Sequence, residues 1–189
     1  ITSKLKLNIF HLSASFKNFD MLETLIEKGK NSLEEEELKQ VLKLNCKRGV
    51  NILVYALVSS HHNVPASFFS DVFLLLSQTL NRSDMKTLLE VSTAENNLVM
   101  MAVNVEYVPH TTLDFIVKKY QELFTPDEIK EICKKKFYGL NILMITAYAC
   151  QSENKIKMLF DFLKTSLSVV EIKVLLVEKD LKGKIALET

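Results

Sequence analysis

Apolar positions along this chain fall into short runs with helical spacing, and the runs recur. Four of them open on an asparagine: Asn8 begins NIFHLSA, Asn51 NILVYAL, Asn97 NLVMMAV and Asn141 NILMITA, at separations of 43, 46 and 44 residues. Asparagine is a strong N-cap, because its side-chain oxygen accepts from a backbone N–H two or three residues on. Each asparagine therefore predicts the start of a first helix. A variable turn follows, and then a second, strongly apolar helix: Met21 to Glu27, Phe68 to Leu80, Leu113 to Leu123 and Ile156 to Lys164. Pro65 and Pro109 fall where proline is tolerated, in the first turn of two of these helices.

A third, shorter helix completes each unit, in LEEEELKQVL, SDMKTLLEV, PDEIKEICKK and VVEIKVLLVE. Capping boxes are predicted at Ser32 with Glu35, at Thr125 with Glu128 (Pro126 following the cap) and at Ser168 with Glu171. Polar or glycine-bearing turns, CKRGVN, STAENN, KKKFYGLN and EKDLKGK, lead to the next unit. No alternating strand pattern stands out, so the fold class is all-α. A repeat of about 20 to 50 residues cannot bury its apolar face alone, and its neighbours must cover it. Stacking such units makes a helical-repeat solenoid with an extended concave surface. A fifth, truncated copy begins at Lys184 (KIALET), so the expectation is one array over residues 1–189, a fragment of a longer protein. Four glycines and three prolines leave no linker-like stretch, and no domain boundary is placed.

Charge narrows the partners. A net charge of +1 removes the usual electrostatic motive for binding nucleic acid along the whole surface, and no specific nucleic-acid partner is expected. The longest apolar run, within NILMITAYAC, is about half of the ~20 residues that span a bilayer, so no membrane insertion is expected. Cys46, Cys133 and Cys150 lack metal-ligand spacing and read as reduced, small apolar residues of an intracellular protein, cytoplasmic or nuclear. None of the phosphate-binding, zinc-protease or nucleophile-elbow motifs occurs, so no enzyme activity and no cofactor is expected. His61 and His62, in the longest turn beside Asn63 and Pro65, would need two further ligands to hold a metal, and none is expected there. Cys133 and Cys150 sit in apolar helical context, where a thiolate is disfavoured, and His11 and His110 add no site.

The stretch Asn8-Ile9-Phe10-His11-Leu12-Ser13-Ala14, with Met21-Leu22-Glu23-Thr24-Leu25-Ile26-Glu27-Lys28-Gly29 after it, resembles the ankyrin repeat. That consensus runs Thr-Pro-Leu-His-x-Ala-Ala, then a turn, then a Val/Leu-rich helix ending near glycine. Asp180 to Glu188 is similar to the turn that opens an ankyrin unit. The resemblance covers the whole chain and is closest at its edges. Ankyrin units have about 33 residues, so units of this length imply a stretched turn between the first two helices and an added third helix. The resemblance implies that His11 ties adjacent turns together, a role lost where Val54, Met100 and Met144 stand instead. A three-helix repeat of the HEAT or armadillo kind, at ~40 to 47 residues, is the alternative.

The ankyrin register would place Leu12, Tyr55, Met101 and Ile145 on the concave side, with Phe16, Val58, Val105 and Tyr148 a turn later. Such an apolar stripe either packs against neighbouring helices or receives the apolar face of a partner's segment. The inter-repeat turns are a second candidate surface. Lys134-Lys135-Lys136-Phe137-Tyr138 joins three cations to two aromatics, a combination able to bind phosphate or stack on bases; Lys135, Phe137 and Tyr138 are its candidate contacts. The alternative is that the lysines offset the negative end of the third helix. Glu34 to Glu37 likewise offset a positive helix end. The leading functional expectation is a scaffold binding another protein through the groove and the turns. A regulatory or assembly arm of a larger effector, channel or adaptor is the alternative, and a phosphate or nucleic-acid binder the third. Self-association through apolar end repeats is a further expectation.

Overall fold

Each asparagine does begin a helix, and it also closes its own repeat. The computed structural model describes residues 7–46, 49–58, 65, 67–90, 97–150 and 152–186. Among them the helices follow one order, short, long and intermediate: α1 Ile9–Ser15, α2 Phe19–Ser32, α3 Glu35–Lys43; α4 Ile52–Val58, α5 Phe68–Ser77, α6 Arg82–Glu90; α7 Leu98–Asn104, α8 His110–Leu123, α9 Pro126–Lys134; α10 Ile142–Ala149, α11 Glu153–Ser166, α12 Val169–Val177. The chain is all-α; the only bridge of strand type among these residues joins Phe137 to Leu140.

The four asparagines are buried and bonded twice. As caps, their Oδ1 atoms accept from the N–H groups of His11, Val54, Met100 and Met144, at 2.9 to 3.0 Å. Their Nδ2 atoms meanwhile donate to the carbonyls of Val41, Leu88, Ile132 and Leu175, at 2.9, 2.7, 3.2 and 2.8 Å. Each acceptor is the seventh residue of the nine-residue third helix of the same repeat. One side chain thus satisfies a free N–H where the repeat begins and a late carbonyl where it ends, both of which helices leave short of partners. In the first repeat His11 repeats the closure: its Nδ1 accepts from Asn8 N–H (3.2 Å) and its Nε2 lies 2.9 Å from the carbonyl of Leu44. Burial lowers the His11 pKa, so the ring is neutral, with the proton on Nε2.

Residues Ile1–Thr93 and Ala94–Thr189 form two units, each holding two repeats. In the first, α1 packs on α4, α2 on α5 and α3 on α6. Its core runs through Leu22, Ile26, Leu38, Leu42, Leu53, Val72, Leu76, Leu88 and Leu89, all nearly inaccessible. Burying each such side chain contributes roughly 1.5 to 3 kcal/mol relative to exposure. In the second unit α7 packs on α10 and α8 on α11. There Tyr120 is fully buried, stacked on Phe124 with centroids 5.0 Å apart and edge-on to Phe162 at 6.5 Å. Ion pairs join successive third helices: Lys43 to Asp84 in the first unit and Lys130 to Glu171 in the second, both at 2.5 Å.

Three local expectations are corrected. Ser32 caps nothing, because α2 continues through it; α3 begins instead at Glu34, whose N–H donates to the Glu37 carboxylate. The boxes at Thr125 and Ser168 form as expected. Pro109 is the residue before α8 and Pro65 lies ahead of Ser67, the cap position of α5, so neither is inside its helix. The turn between first and second helices is short in the first repeat, residues 16–18, and in the fourth, residues 150–152. Positive φ at Lys17 (54°) accompanies the abrupt reversal in the first. The added length in those repeats lies in the third helix. His61, His62 and Asn63, and most of the STAENN turn, fall outside the described residues.

Candidate functional site

The predicted first-helix stripe divides by exposure. Leu12 on α1 and Phe16 at its C-cap stand out at 40% and 66% exposed, with Ile9 on the same face. On α4, Tyr55 and Val58 are half-buried. The Tyr55 ring lies edge-on to His11 at 5.6 Å, and its hydroxyl reaches Cys46 Sγ at 3.6 Å, so it is held between the first two repeats. Met101 on α7 and Val105 at its C-cap are half-buried, and on α10 Tyr148 is half exposed. Ile145 is buried at 3%, against the expectation that it faces a partner: α10 packs on α7, and this side chain belongs to the core of the second unit.

Two lysines, one half-buried and one buried, brace the ends of first helices. Lys17 Nζ donates to the carbonyl of Ala56 and lies 4.9 Å from the centre of the Phe68 ring. Lys155 is almost wholly buried and donates to Ala102 and Val105, at 3.2 and 3.0 Å. Ala56 and Ala102 are each the fifth residue of their helix, α4 and α7. A cation there meets carbonyls of the negative helix end. Burial lowers the Lys17 pKa to about 8, and it lowers that of Lys155 against the opposing influence of Cys150 and Glu106. Lys155 lines a cavity of about 200 Å³ with Glu106, Cys150 and Ser152. Nothing in the sequence pattern marks these lysines, since their acceptors are backbone atoms of another repeat.

Three turns between repeats are closed alike among the described residues. Cys46 and Val50, Phe137 and Leu140, and Asp180 and Lys184 each close a turn by a backbone bond of 2.8 to 2.9 Å. Gly49, Gly139 and Gly183 supply positive φ in them. At the second, Phe137 and Leu140 exchange two bonds around Tyr138 (φ 51°) and Gly139 (φ 78°), a two-residue hairpin turn of the I′ kind. Tyr138 is 74% exposed and its ring lies 4.4 Å from that of Phe137, which is half-buried. Lys134 pairs with Glu131 and Lys136 with Glu178, leaving Lys135 exposed. Two of the three cations are therefore already balanced. Burial pushes the Glu178 carboxyl up, but bonds from Asn141 and Lys136 together hold it below its ordinary value. Glu35 and Glu36 both pair with Lys39, so the acidic run is largely engaged within α3.

No family model, curated protein or solved structure matches this chain. Function is therefore argued from its surfaces. The most apolar of these was missed in the sequence. On α12, Val169, Val170, Val174 and Val177 are 56 to 71% exposed, and Leu181 beyond it is 86% exposed. Aligning the four third helices would have exposed the signal. The positions of Val170, Val174 and Val177 hold Glu36, Gln40 and Lys43 in α3, Ser83, Thr87 and Glu90 in α6, and Asp127, Glu131 and Lys134 in α9.

Proposed function

We propose that this chain is a protein-interaction module: a divergent, ankyrin-like helical-repeat solenoid with a third helix in each repeat, binding another protein through first-helix side chains and inter-repeat turns. The observation that carries this reading is the exposure of Leu12 on α1, of Phe16 at its C-cap and of Tyr148 on α10. Exposed aromatic and aliphatic side chains on rigid helices are the usual anchors of a protein interface. The hairpin at Phe137–Leu140 and the His11 tie to Leu44 support the ankyrin-like component of the reading.

Panning a library of displayed peptides against the folded chain tests it. An enriched peptide family should lose about tenfold in affinity, or 1.4 kcal/mol, on Phe16→Glu or Tyr148→Glu, while the thermal melt stays unchanged because both side chains already face solvent. Binding indifferent to both substitutions would remove the first-helix surface from the proposal.

A further inference from the structure

We propose that the outer face of α12 is a docking strip for an acidic amphipathic helix of a partner protein. Val170, Val174 and Val177 follow the i, i+4, i+7 spacing of a single helical stripe, and the exposed Leu181 follows in the turn after the helix. This stripe lies opposite the core side of the helix, which Ile172 and Leu175 supply. The ion pairs mark the side that meets a neighbouring repeat: Lys130 on α9 reaches Glu171 on α12 and Lys43 on α3 reaches Asp84 on α6, and the residues of α12 equivalent to Lys130 and Lys43 are Lys173 and Val177. A following repeat stacked in the same manner would meet Lys173 and Val177, leaving Val170 and Val174 open. Their counterparts in α3, α6 and α9 are all polar and exposed, so the valines are a departure from the repeat and serve no packing need of it.

Charge selects the occupant. The acids near the stripe are engaged: Glu171 by Lys130 and Ser168, Glu178 by Lys136 and Asn141, and Asp180 by the backbone N–H groups of Lys182 and Lys184. Lys173 and Lys179 are exposed, with no ion-pair partner among the described residues, and the exposed Lys182 has only the charge of Asp180 beside it. A narrow apolar stripe with cations along its edge is complementary to a helix that carries leucine or isoleucine on one face and glutamate or aspartate beside it. A lipid surface fits less well: interfacial helices anchor with Trp, Phe and Leu, whereas this stripe is mainly valine and the chain has no tryptophan.

The test uses a fluorescein-labelled designed peptide of about 18 residues, five helical turns, with leucines at helical spacing and glutamates on both flanks, and a twin with lysines in place of the glutamates. Fluorescence anisotropy is measured with the wild type, with Val170→Asp, Val174→Glu, which copies the residues of α9, and with Lys173→Glu, Lys179→Glu. The wild type should bind the acidic peptide about tenfold or more tighter than the basic one, and the valine variant should lose about tenfold, 1.4 kcal/mol. The lysine variant should reverse the preference, and it keeps the test decisive if the valine variant fails to fold. The Phe16→Glu protein should bind as the wild type does, which separates this surface from the first-helix surface. Equal affinity of wild type and valine variant, or a preference for the basic peptide, overturns the proposal. So does a wild-type dimer in sedimentation that the valine variant dissolves, which assigns the face to a second copy. Co-sedimentation with phosphatidylserine vesicles that the valine variant abolishes overturns it too, in favour of a membrane.

Discussion

At the scale of single residues, the repeated asparagine is the informative one, since it does two jobs with one amide. Replacing Asn97 by alanine removes the cap on Met100 N–H and the donor to Ile132. The Ile132 carbonyl keeps a second, longer bond from Lys135 N–H at 3.3 Å, so it is not wholly orphaned. The expected cost is about 2 kcal/mol, above the ~1 of a cap alone. Asn97→Ser, which can still cap but cannot reach the carbonyl, should cost about half of that. Urea denaturation of the three proteins checks the ratio. His11 gives a pH signature. Its folded pKa lies below the 6.5 of the unfolded chain, so the unfolded state takes up protons first, and stability must fall as pH drops through and below 6.5. Melting temperatures between pH 5 and 8 should show this loss, and His11→Gln should flatten it.

At the scale of elements, the hairpin between α9 and α10 is more closely packed at its glycine than the turn at Gly183. A Cβ on Gly139 would stand 2.7 Å from Leu181 Cγ at φ +78°, whereas Gly183, at φ +80°, has open space around it. Gly139→Ala should therefore cost more than Gly183→Ala, by about 1 kcal/mol or more, the second paying only for its backbone conformation. Tyr138 occupies a position of the turn that favours asparagine, so Tyr138→Asn should raise stability by about 0.5 kcal/mol. Denaturant midpoints read both effects. Elements were what the sequence displayed best, because helix starts, apolar periods and capping pairs are local: all four third helices and the boxes at Thr125 and Ser168 could be placed without coordinates. Features that depend on the chain's return were invisible. The amide of Asn8 finds Val41, and Lys155 finds Ala102, only after dozens of intervening residues have folded. The burial of Ile145 was hidden for the same reason, since in an all-apolar run such as NILMITA the period alone does not say which side meets a neighbour.

At the scale of the whole molecule, three cysteines report on packing throughout the chain. Cys46 and Cys133 are buried and Cys150 is half-buried, and all are free thiols. Burial pushes the Cys133 thiol up to about 12. A thiol-reactive dye at pH 8 should therefore label Cys150 first in the native protein and Cys133 only with unfolding; fast labelling of Cys133 would show that the second unit opens readily. The asparagine clasp has a wider consequence. The asparagine and both of its partners, the N–H of the first helix and the carbonyl of the third, lie inside one stretch of chain, from an asparagine to the turn before the next. A duplication, deletion or transplant cut at those turns carries the whole clasp with it and leaves no severed partner behind. Such stretches behave as interchangeable cassettes, so a lineage could lengthen, shorten or shuffle this protein in steps of one segment while each new junction needed only a compatible seam.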